Sequence, residues 1–208
     1  MKTIPSISSL TPAVINRLEA LGYSEEALER AICEHQSSLD AGTPAVYCGT
    51  YHKYACGSLA GLWIDLTTFA SYHEFITFCL ALHADESDPE LMFQDYEGFP
   101  EQYYSECSMS EETFDKILEY VELCDRWGAQ AVDAYFSLYP DGSAEDFDDV
   151  YCGHFGSEEA FAQHFLDDVY DIDKMMGSLA GYFDIKAFTT DLFAGDYSES
   201  NGFVFRCA

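Results

Sequence analysis

Apolar residues recur at helical spacing along much of the chain. Thr11-Pro12 is typical of a helix start, Val14, Leu18 and Leu21 then share one face, and Gly22 ends the pattern. Similar patterns predict helices at about residues 24–39, 72–83, 110–124, 128–138 and 157–169, a short acidic turn at 145–149, and a last helix after Asp184. Much of the chain is therefore expected to be helical.

Other segments are rich in aromatic and β-branched residues, or alternate apolar with polar ones. They predict strands at residues 46–51, 59–66, 91–96, 150–155 and 203–206, with turns at residues 54–58 and 200–202. This order of elements predicts an α+β fold. A helical lead of residues 1–44 precedes an α+β unit that ends near residue 100, and an acidic helical unit follows.

Composition adds a strong negative charge to this picture. The 208 residues include 38 acidic and 9 basic ones, a net charge of −29, yet 48% are hydrophobic and 16% aromatic. A chain this apolar can build a core, so we predict a folded protein rather than a disordered one. Its surface would repel nucleic acids and anionic membranes, whereas a basic protein that normally holds DNA or RNA would be attracted.

The acidic residues are concentrated in the body of the chain. Residues 1–44 carry six acidic and three basic side chains, which leaves 32 acidic against 6 basic in residues 45–208. Between Lys53 and Lys116 there are 13 acidic residues and no basic one. The charge therefore belongs to the folded region, not to a tail.

Adaptation to high salt also enriches proteins in acidic residues. However, 16 Phe and 15 Tyr are more aromatic residues than that explanation accounts for.

The eight cysteines bear on the compartment. No charged segment followed by an apolar run opens the sequence, so we expect no signal peptide. No apolar run reaches the length of a membrane span. We therefore predict reduced thiols and a cytoplasmic protein.

Metal and catalytic motifs are incomplete. His73-Glu74 resembles the start of a zinc-protease motif, but Thr77 stands where the second histidine belongs. Cys48, His52 and Cys56 are spaced by four residues, without the Cys-x-x-Cys or His-x(3–5)-His pair of a zinc site. We interpret these three as strand and turn residues, and we expect neither a metal nor another cofactor.

Calcium loops and carboxylate catalysis are the remaining chemical alternatives. An EF-hand loop beginning at Asp171 would place Met176 where glycine is required, and one beginning at Asp146 would place Tyr151 there. Two of the 38 acids could still converge as in a glycoside hydrolase, although no pair is singled out by the sequence. We therefore predict a protein that is not an enzyme.

The charge has a magnitude that suits DNA mimicry. Duplex DNA carries one negative charge per about 1.7 Å, so the charge of two copies, twice 29, matches roughly 100 Å of duplex. Two globules of this size, placed end to end, span a length of the same order. Helical carboxylates at i, i+4 and i+7, such as Asp115, Glu119 and Glu122, form rows that can stand in for phosphates. An acidic module for another basic nucleic-acid-binding protein is the alternative.

Long stretches of residues 45–206 resemble the ArdA antirestriction proteins. The resemblance rests on residues 46–54 (VYCGTYHKY), 57–66 (GSLAGLWIDL) and 85–100 (DESDPELMFQDYEGFP). Shorter blocks agree in order: YCG at 151–153, SEEAF at 157–161, YFD at 182–184, DLF at 191–193 and VFR at 204–206. Residues 1–44 lie outside the resemblance.

The resemblance implies both an architecture and a function. It implies an elongated chain of three small domains, at residues 45–105 (α+β), 106–150 (acidic helical) and 151–208 (α+β, dimerising), behind a short helical N-terminal extension of residues 1–44. It implies a homodimeric DNA mimic, made by mobile genetic elements, that occupies the DNA groove of type I restriction-modification enzymes. The partner would be the methyltransferase core with its specificity subunit, and both restriction and modification would be blocked. No catalytic residue is implied.

We predict two groups of contact residues, one for the partner and one for the dimer. The expected partner-binding surface consists of acidic side chains: Asp85, Glu86, Asp88, Glu90, Asp95, Glu97, Glu111, Glu112, Asp115, Glu119, Glu122, Asp125, Glu145, Asp146, Asp148, Asp149, Glu158, Glu159, Asp167, Asp168, Asp171 and Asp173. The expected dimer interface is aromatic: Tyr182, Phe183, Phe188, Phe193, Phe203 and Phe205.

Overall fold

Two antiparallel sheets organise the protein, each in its own compact unit. The computed structural model describes residues 10–33 and 42–207, apart from the side chain of Asp173. The units comprise Met1–Val121 and Glu122–Ala208. The expected α+β class is confirmed. The division into three domains stays a prediction.

In the described part of the first unit, the sheet has four strands in the order β1-β3-β2-β4, all antiparallel. The strands are β1 (Ile32–Cys33), β2 (Ala45–Thr50), β3 (Leu62–Asp65) and β4 (Leu91–Glu97). Val46, in the middle of the sheet, lies opposite Ile64 on one side and Tyr96 on the other. The pairing of β2 with β4 shifts its register between Tyr47 and Cys48.

Helices pack around this sheet. They are α1 (Pro12–Ala20), α2 (Glu25–Ala31), α3 (Tyr51–Ala55) and α4 (Tyr72–Leu82), with short 3-10 turns at Leu66–Thr68 and Glu101–Tyr103. The side chains of Thr11, Ser24 and Ser71 accept hydrogen bonds from the first turns of α1, α2 and α4, which confirms these predicted helix starts.

Aromatic rings form the core of the first unit. Phe75 of α4 stacks on Phe93 of β4, with ring centres 5.8 Å apart, and on Phe114 at 5.6 Å. All three rings are fully or almost fully buried. Each buried aromatic ring removes a large apolar area from water, which stabilises the unit against the repulsion between its surface carboxylates.

The N-terminal segment differs from its prediction. The second helix was expected to reach residue 39, but it ends at Ala31, and residues 34–41 lie outside the description. Ile32 and Cys33 pair instead with Ile64 and Trp63 of β3. Backbone pairing with an existing strand outweighs the weak local helix preference of these two residues.

The connection between β2 and β3 also differs. Residues 54–58 were expected to form a turn, but the chain first makes helix α3, capped by Thr50 through a 3.2 Å hydrogen bond from the Lys53 amide. Gly57, at φ +77°, then allows the chain to turn. The strand expected from residue 59 begins only at Leu62.

In the second unit, the described sheet has three antiparallel strands in the order β5-β7-β6. Helix α5 (Glu111–Trp127) contains the boundary between the units, and the elements after it are α6 (Ala129–Leu138), α7 (Ala144–Val150), β5 (Tyr151–His154), α8 (Glu158–Val169), α9 (Ile172–Met176), a 3-10 helix (Gly177–Tyr182), α10 (Ile185–Leu192), β6 (Tyr197–Ser200) and β7 (Phe203–Arg206). The sequence predicted α8 and β7 closely, but it gave no sign of α9 or β6.

Phe205 lies at the centre of the second core. It is 0% exposed, and its ring centre is 5.5–5.8 Å from those of Tyr135, Phe147 and Tyr151. Helices α6 and α7 therefore pack on the sheet that contains β5 and β7. Among the described helices, none is long and apolar enough to cross a membrane.

Candidate partner-binding surface

Helix α5 carries a row of carboxylates on one face. At 100° per residue, its acidic residues Glu111, Asp115, Glu119, Glu122 and Asp125 fall within an arc of about 120°, and all are exposed. The opposite face carries the buried residues Phe114, Ile117, Tyr120 and Leu123. Burial of the apolar face fixes the rotation of the helix, so the carboxylates must face solvent.

The carboxylates of this row follow one another along an axis as the phosphates of one DNA strand do, but they are farther apart. From Glu111 to Asp125 the helix rises about 21 Å, which places neighbouring charges about 5 Å apart along the axis. Phosphates of one DNA strand follow each other every ~3.4 Å of axis. The row therefore offers roughly two thirds of the linear charge density of one strand.

Glu112 stands slightly apart from this row and is paired. Lys116, four residues on, lies 2.7 Å from its carboxylate. The hydrogen bond and charge of Lys116 lower the pKa of Glu112, which keeps that side chain ionised but partly neutralised. Both partners are exposed, so the pair adds little to stability.

Helix α7 supplies a second acidic group, in the second unit. Glu145, Asp146 and Asp149 are exposed. Asp148 is also exposed, but it accepts hydrogen bonds from the side chains of Arg126, at 2.8 Å, and Trp127, at 2.7 Å. Asp148 therefore has a structural role within the unit, whatever it contributes to a partner.

Two residues expected at the surface between residues 85 and 97 lie mostly inside the first unit. Glu97 is only 7% exposed and sits on β4 opposite Ala45. Glu86 is also largely covered, because it lies beside Lys53 and Thr50. Asp88, Glu90 and Asp95 are exposed, as expected for contacts.

The remaining predicted acids belong to the second unit and are mostly solvated. Glu158 and Glu159 are exposed in the first turn of α8, where the helix dipole favours negative charge. Asp167, Asp168 and Asp171 are exposed as well. The side chain of Asp173 lies outside the description.

The predicted dimer residues are placed very differently from one another. Tyr182 is 85% exposed, whereas Phe205 is fully buried and cannot meet a second chain while the unit stays folded. Phe183, Phe188, Phe193 and Phe203 are partly covered, with Phe188 and Phe193 packed against the core of the unit.

Besides the predicted Tyr182, five apolar residues that the prediction missed are exposed in this part of the second unit. We define the apolar strip as all six of these residues: Val169, Tyr170, Met175, Met176, Leu179 and Tyr182. The sequence carried a signal for this strip, because apolar residues continue past the end of α8 outside the helical spacing that predicts its buried face. Large exposed apolar patches mark interaction surfaces, and these six residues are candidates for one in the second unit.

The Cys48 thiol does not lie in a reactive cleft. It is fully buried beside His83, whose Nε2 is 4.0 Å from its sulfur. A hydrogen bond from the Cys79 thiol is the largest cause that lowers the pKa of Cys48 to about 6, against the effect of burial. His52 and Cys56 are exposed, and no group of metal-binding side chains was found among the described residues.

A comparison with protein families decides which family the chain comes from. The family model described as "Antirestriction protein (ArdA)" matches residues 46–205, which is 160 of the 208 residues. The chain belongs to the ArdA family. No individual curated protein matches it.

ArdA membership implies an antirestriction function, and hence an interaction with restriction enzymes. The match covers every residue of the expected partner-binding surface, including the row on α5. It leaves out α1, α2 and β1, although β1 pairs with β3 inside the matched region.

Proposed function

We propose that this ArdA protein mimics duplex DNA and occupies the DNA-binding groove of type I restriction-modification enzymes. The carrying observation is the exposed carboxylate row of α5, in a family member with a net charge of −29. Occupation of the groove by the mimic blocks both restriction and modification, because both reactions need DNA there. The partner is the methyltransferase core with its specificity subunit.

The chemistry of recognition is that of phosphate binding. Lys and Arg side chains that hold phosphates form charge-assisted hydrogen bonds to carboxylates as well. Phosphate contacts position a DNA-binding protein without reading sequence, so a mimic that replaces them is insensitive to the recognition sequence of its target. Within each unit, exposed acids are further contacts, whereas Glu97 and Glu86 are left out because they are covered.

We also propose that the protein acts as a homodimer joined through the apolar strip of the second unit. Met175, Leu179 and Tyr182 expose large apolar area that a second copy would cover. A two-fold dimer presents the same acidic surface twice, which suits an enzyme that reads two half-sites. Phe205 takes no part in this interface, since it is the centre of the core.

Competition tests this function. Purified protein should displace a labelled recognition duplex from a type I methyltransferase core, and the displacement should weaken as salt rises. If only some other basic protein is captured and the methyltransferase keeps its DNA, the alternative of a general acidic module holds instead.

A further inference from the structure

Lys53 is a mostly covered cation within the most acidic part of the first unit. Its side chain is 17% exposed, and its ammonium group lies 2.9 Å from Oδ1 of Asp85 and 3.6 Å from Oε1 of Glu86. The same group is 2.9 Å from Nδ1 of His83. One side chain of α3 thus contacts three polar residues, His83, Asp85 and Glu86, in the segment that follows α4.

Residues close to Lys53 hold the same segment in place through further hydrogen bonds. The Thr50 hydroxyl donates a 2.6 Å hydrogen bond to Glu86. Because the Lys53 ammonium can only donate, it donates to Nδ1 of His83, which leaves the Nε2 proton to point to the Cys48 carbonyl oxygen 3.4 Å away. His83 is therefore held between α3 and β2.

The other end of this segment is also fixed. The amide of Tyr51, at the start of α3, donates a 3.1 Å hydrogen bond to the carbonyl oxygen of Glu90. Residues 83–90 are thus attached at both ends to the corner between β2 and α3. Between these attachments, Asp88 is exposed, and the side chain of Glu90 is exposed at the far end.

We propose that Lys53 is a positioning residue, which holds residues 83–90 so that the carboxylates of Asp88 and Glu90 stand at fixed places on the partner-binding surface. This inference rests on the proposed function. Lys53 acts through the segment and does not touch the partner. Without it, the segment samples many arrangements, and the binding-competent one is only a fraction of the population.

The direction in which the affinity changes when Lys53 is replaced distinguishes a positioning role from a purely electrostatic one. Removal of a positive charge makes the protein more negative, so the field alone predicts unchanged or tighter binding to a basic groove. Positioning predicts weaker binding. Lys53→Met should therefore lower the affinity for the methyltransferase core about three- to tenfold. Lys53→Arg, which keeps the charge and the donors, should recover a large part of the loss.

Arg17→Met is the matched charge control. It removes the same charge from an exposed side chain of α1, outside the family match and away from the segment 83–90. Its affinity should equal that of the wild type or exceed it slightly. If Lys53→Met behaves like Arg17→Met, Lys53 has no positioning role.

A second pair of variants leaves the charge unchanged. Thr50→Val removes the hydroxyl that is bonded to Glu86 and caps α3, the helix of Lys53, whereas Thr50→Ser keeps both interactions. Positioning predicts about threefold weaker binding for Thr50→Val and nearly wild-type binding for Thr50→Ser. Equal affinities of these two variants would contradict the proposal without any assumption about electrostatics.

Amide hydrogen exchange of the free protein completes the experiment. Lys53→Met should speed exchange at residues 84–90 at least tenfold more than at β3, whose protection reports whether the first unit remains folded. Unchanged exchange in this segment overturns the proposal. If the wild type itself fails to bind the methyltransferase core, the proposed function fails. Faster exchange would then still show the fastening role of Lys53.

Discussion

The indole nitrogen of Trp127 donates a 2.7 Å hydrogen bond to Oδ1 of Asp148. Trp127 ends α5 and packs its ring against Tyr151, with ring centres 5.2 Å apart, so the bond joins the end of this helix to α7 next to the core. Asp148 was expected from the sequence only as a contact for a partner. Its neighbours show that a carboxylate of this acidic surface can also hold the fold together.

Asp148→Ala should lower the free energy of unfolding by about 1 kcal/mol, because two hydrogen bonds to a half-exposed carboxylate are lost. Asp149→Ala is the control, since it removes the same charge from an exposed position next to Asp148. Urea denaturation of both variants measures the difference. Equal stability of the two variants would show that the contacts of Asp148 contribute nothing.

Charge reversal on α5 should weaken inhibition strongly. We expect the triple variant Glu111→Lys, Asp115→Lys, Glu119→Lys to bind the methyltransferase core at least about tenfold more weakly, with a shallower dependence on salt. The control reverses Glu25, Glu26 and Glu29 of α2, which are also exposed but lie outside the family match. Equal losses in both variants would mean that total charge matters and the α5 row does not.

Asp85 should give the protein an acid-sensitive contribution to stability. Burial alone would raise the pKa of Asp85, but the hydrogen bond and charge of Lys53 outweigh it, so the pKa is lowered. The contribution is therefore fully present above the unfolded-state pKa, near 3.9, and is lost as the pH falls through the lower folded-state value.

The variant Asp85→Asn isolates this contribution from the other carboxylates. At pH 6 the wild type should be more stable than Asp85→Asn, and the difference should shrink as the pH falls to about 3. Denaturation at several pH values measures it. A difference that stays constant over this range would show that the Lys53–Asp85 pair does not stabilise the fold.

The segment outside the family match should still be required for stability. Leu18 of α1 is 0% exposed, so Leu18→Ala should cost about 2–5 kcal/mol. Leu21→Ala, at an exposed position of the same segment, should cost much less. Thermal unfolding of both variants provides the comparison, and similar midpoints would show that α1 is dispensable.

The proposed dimer makes a prediction about mass in solution. Leu179→Asp places a charge in the apolar strip and should shift the protein from dimer to monomer in analytical ultracentrifugation. Leu59→Asp is the control, because Leu59 is about equally exposed but lies in the first unit. If the wild-type protein is already monomeric, the proposed dimer is wrong, but the proposal of DNA mimicry is unaffected.

Local signals explain which elements the sequence could predict. Ser157 caps α8 through its own side chain, and the apolar spacing that follows sets the helix, so its bounds were predictable. Strand β1 depends on a partner far along the chain, β3, whereas β6 pairs with the adjacent β7 across the turn at residues 201–202. Tyr197–Ser200 has a single apolar residue, and it becomes a strand because it pairs with β7.

The same distinction applies to the surface. The carboxylate row of α5 follows from the period of its buried residues, so it could be predicted. The burial of Glu97 could not, because it depends on the pairing of β4 with β2, which places Glu97 opposite the buried Ala45. Phe205 was assigned to a dimer interface by resemblance, whereas its burial depends on rings from α6, α7 and β5.

The competition experiment tests DNA mimicry most directly. Increasing amounts of wild-type protein are added to a type I methyltransferase core bound to its labelled recognition duplex, at about 0.05 M and about 0.2 M salt. Mimicry predicts stoichiometric displacement at low salt that weakens at high salt and is lost in the α5 triple variant. Duplex that stays bound at low salt, in the presence of excess folded protein, would contradict the account.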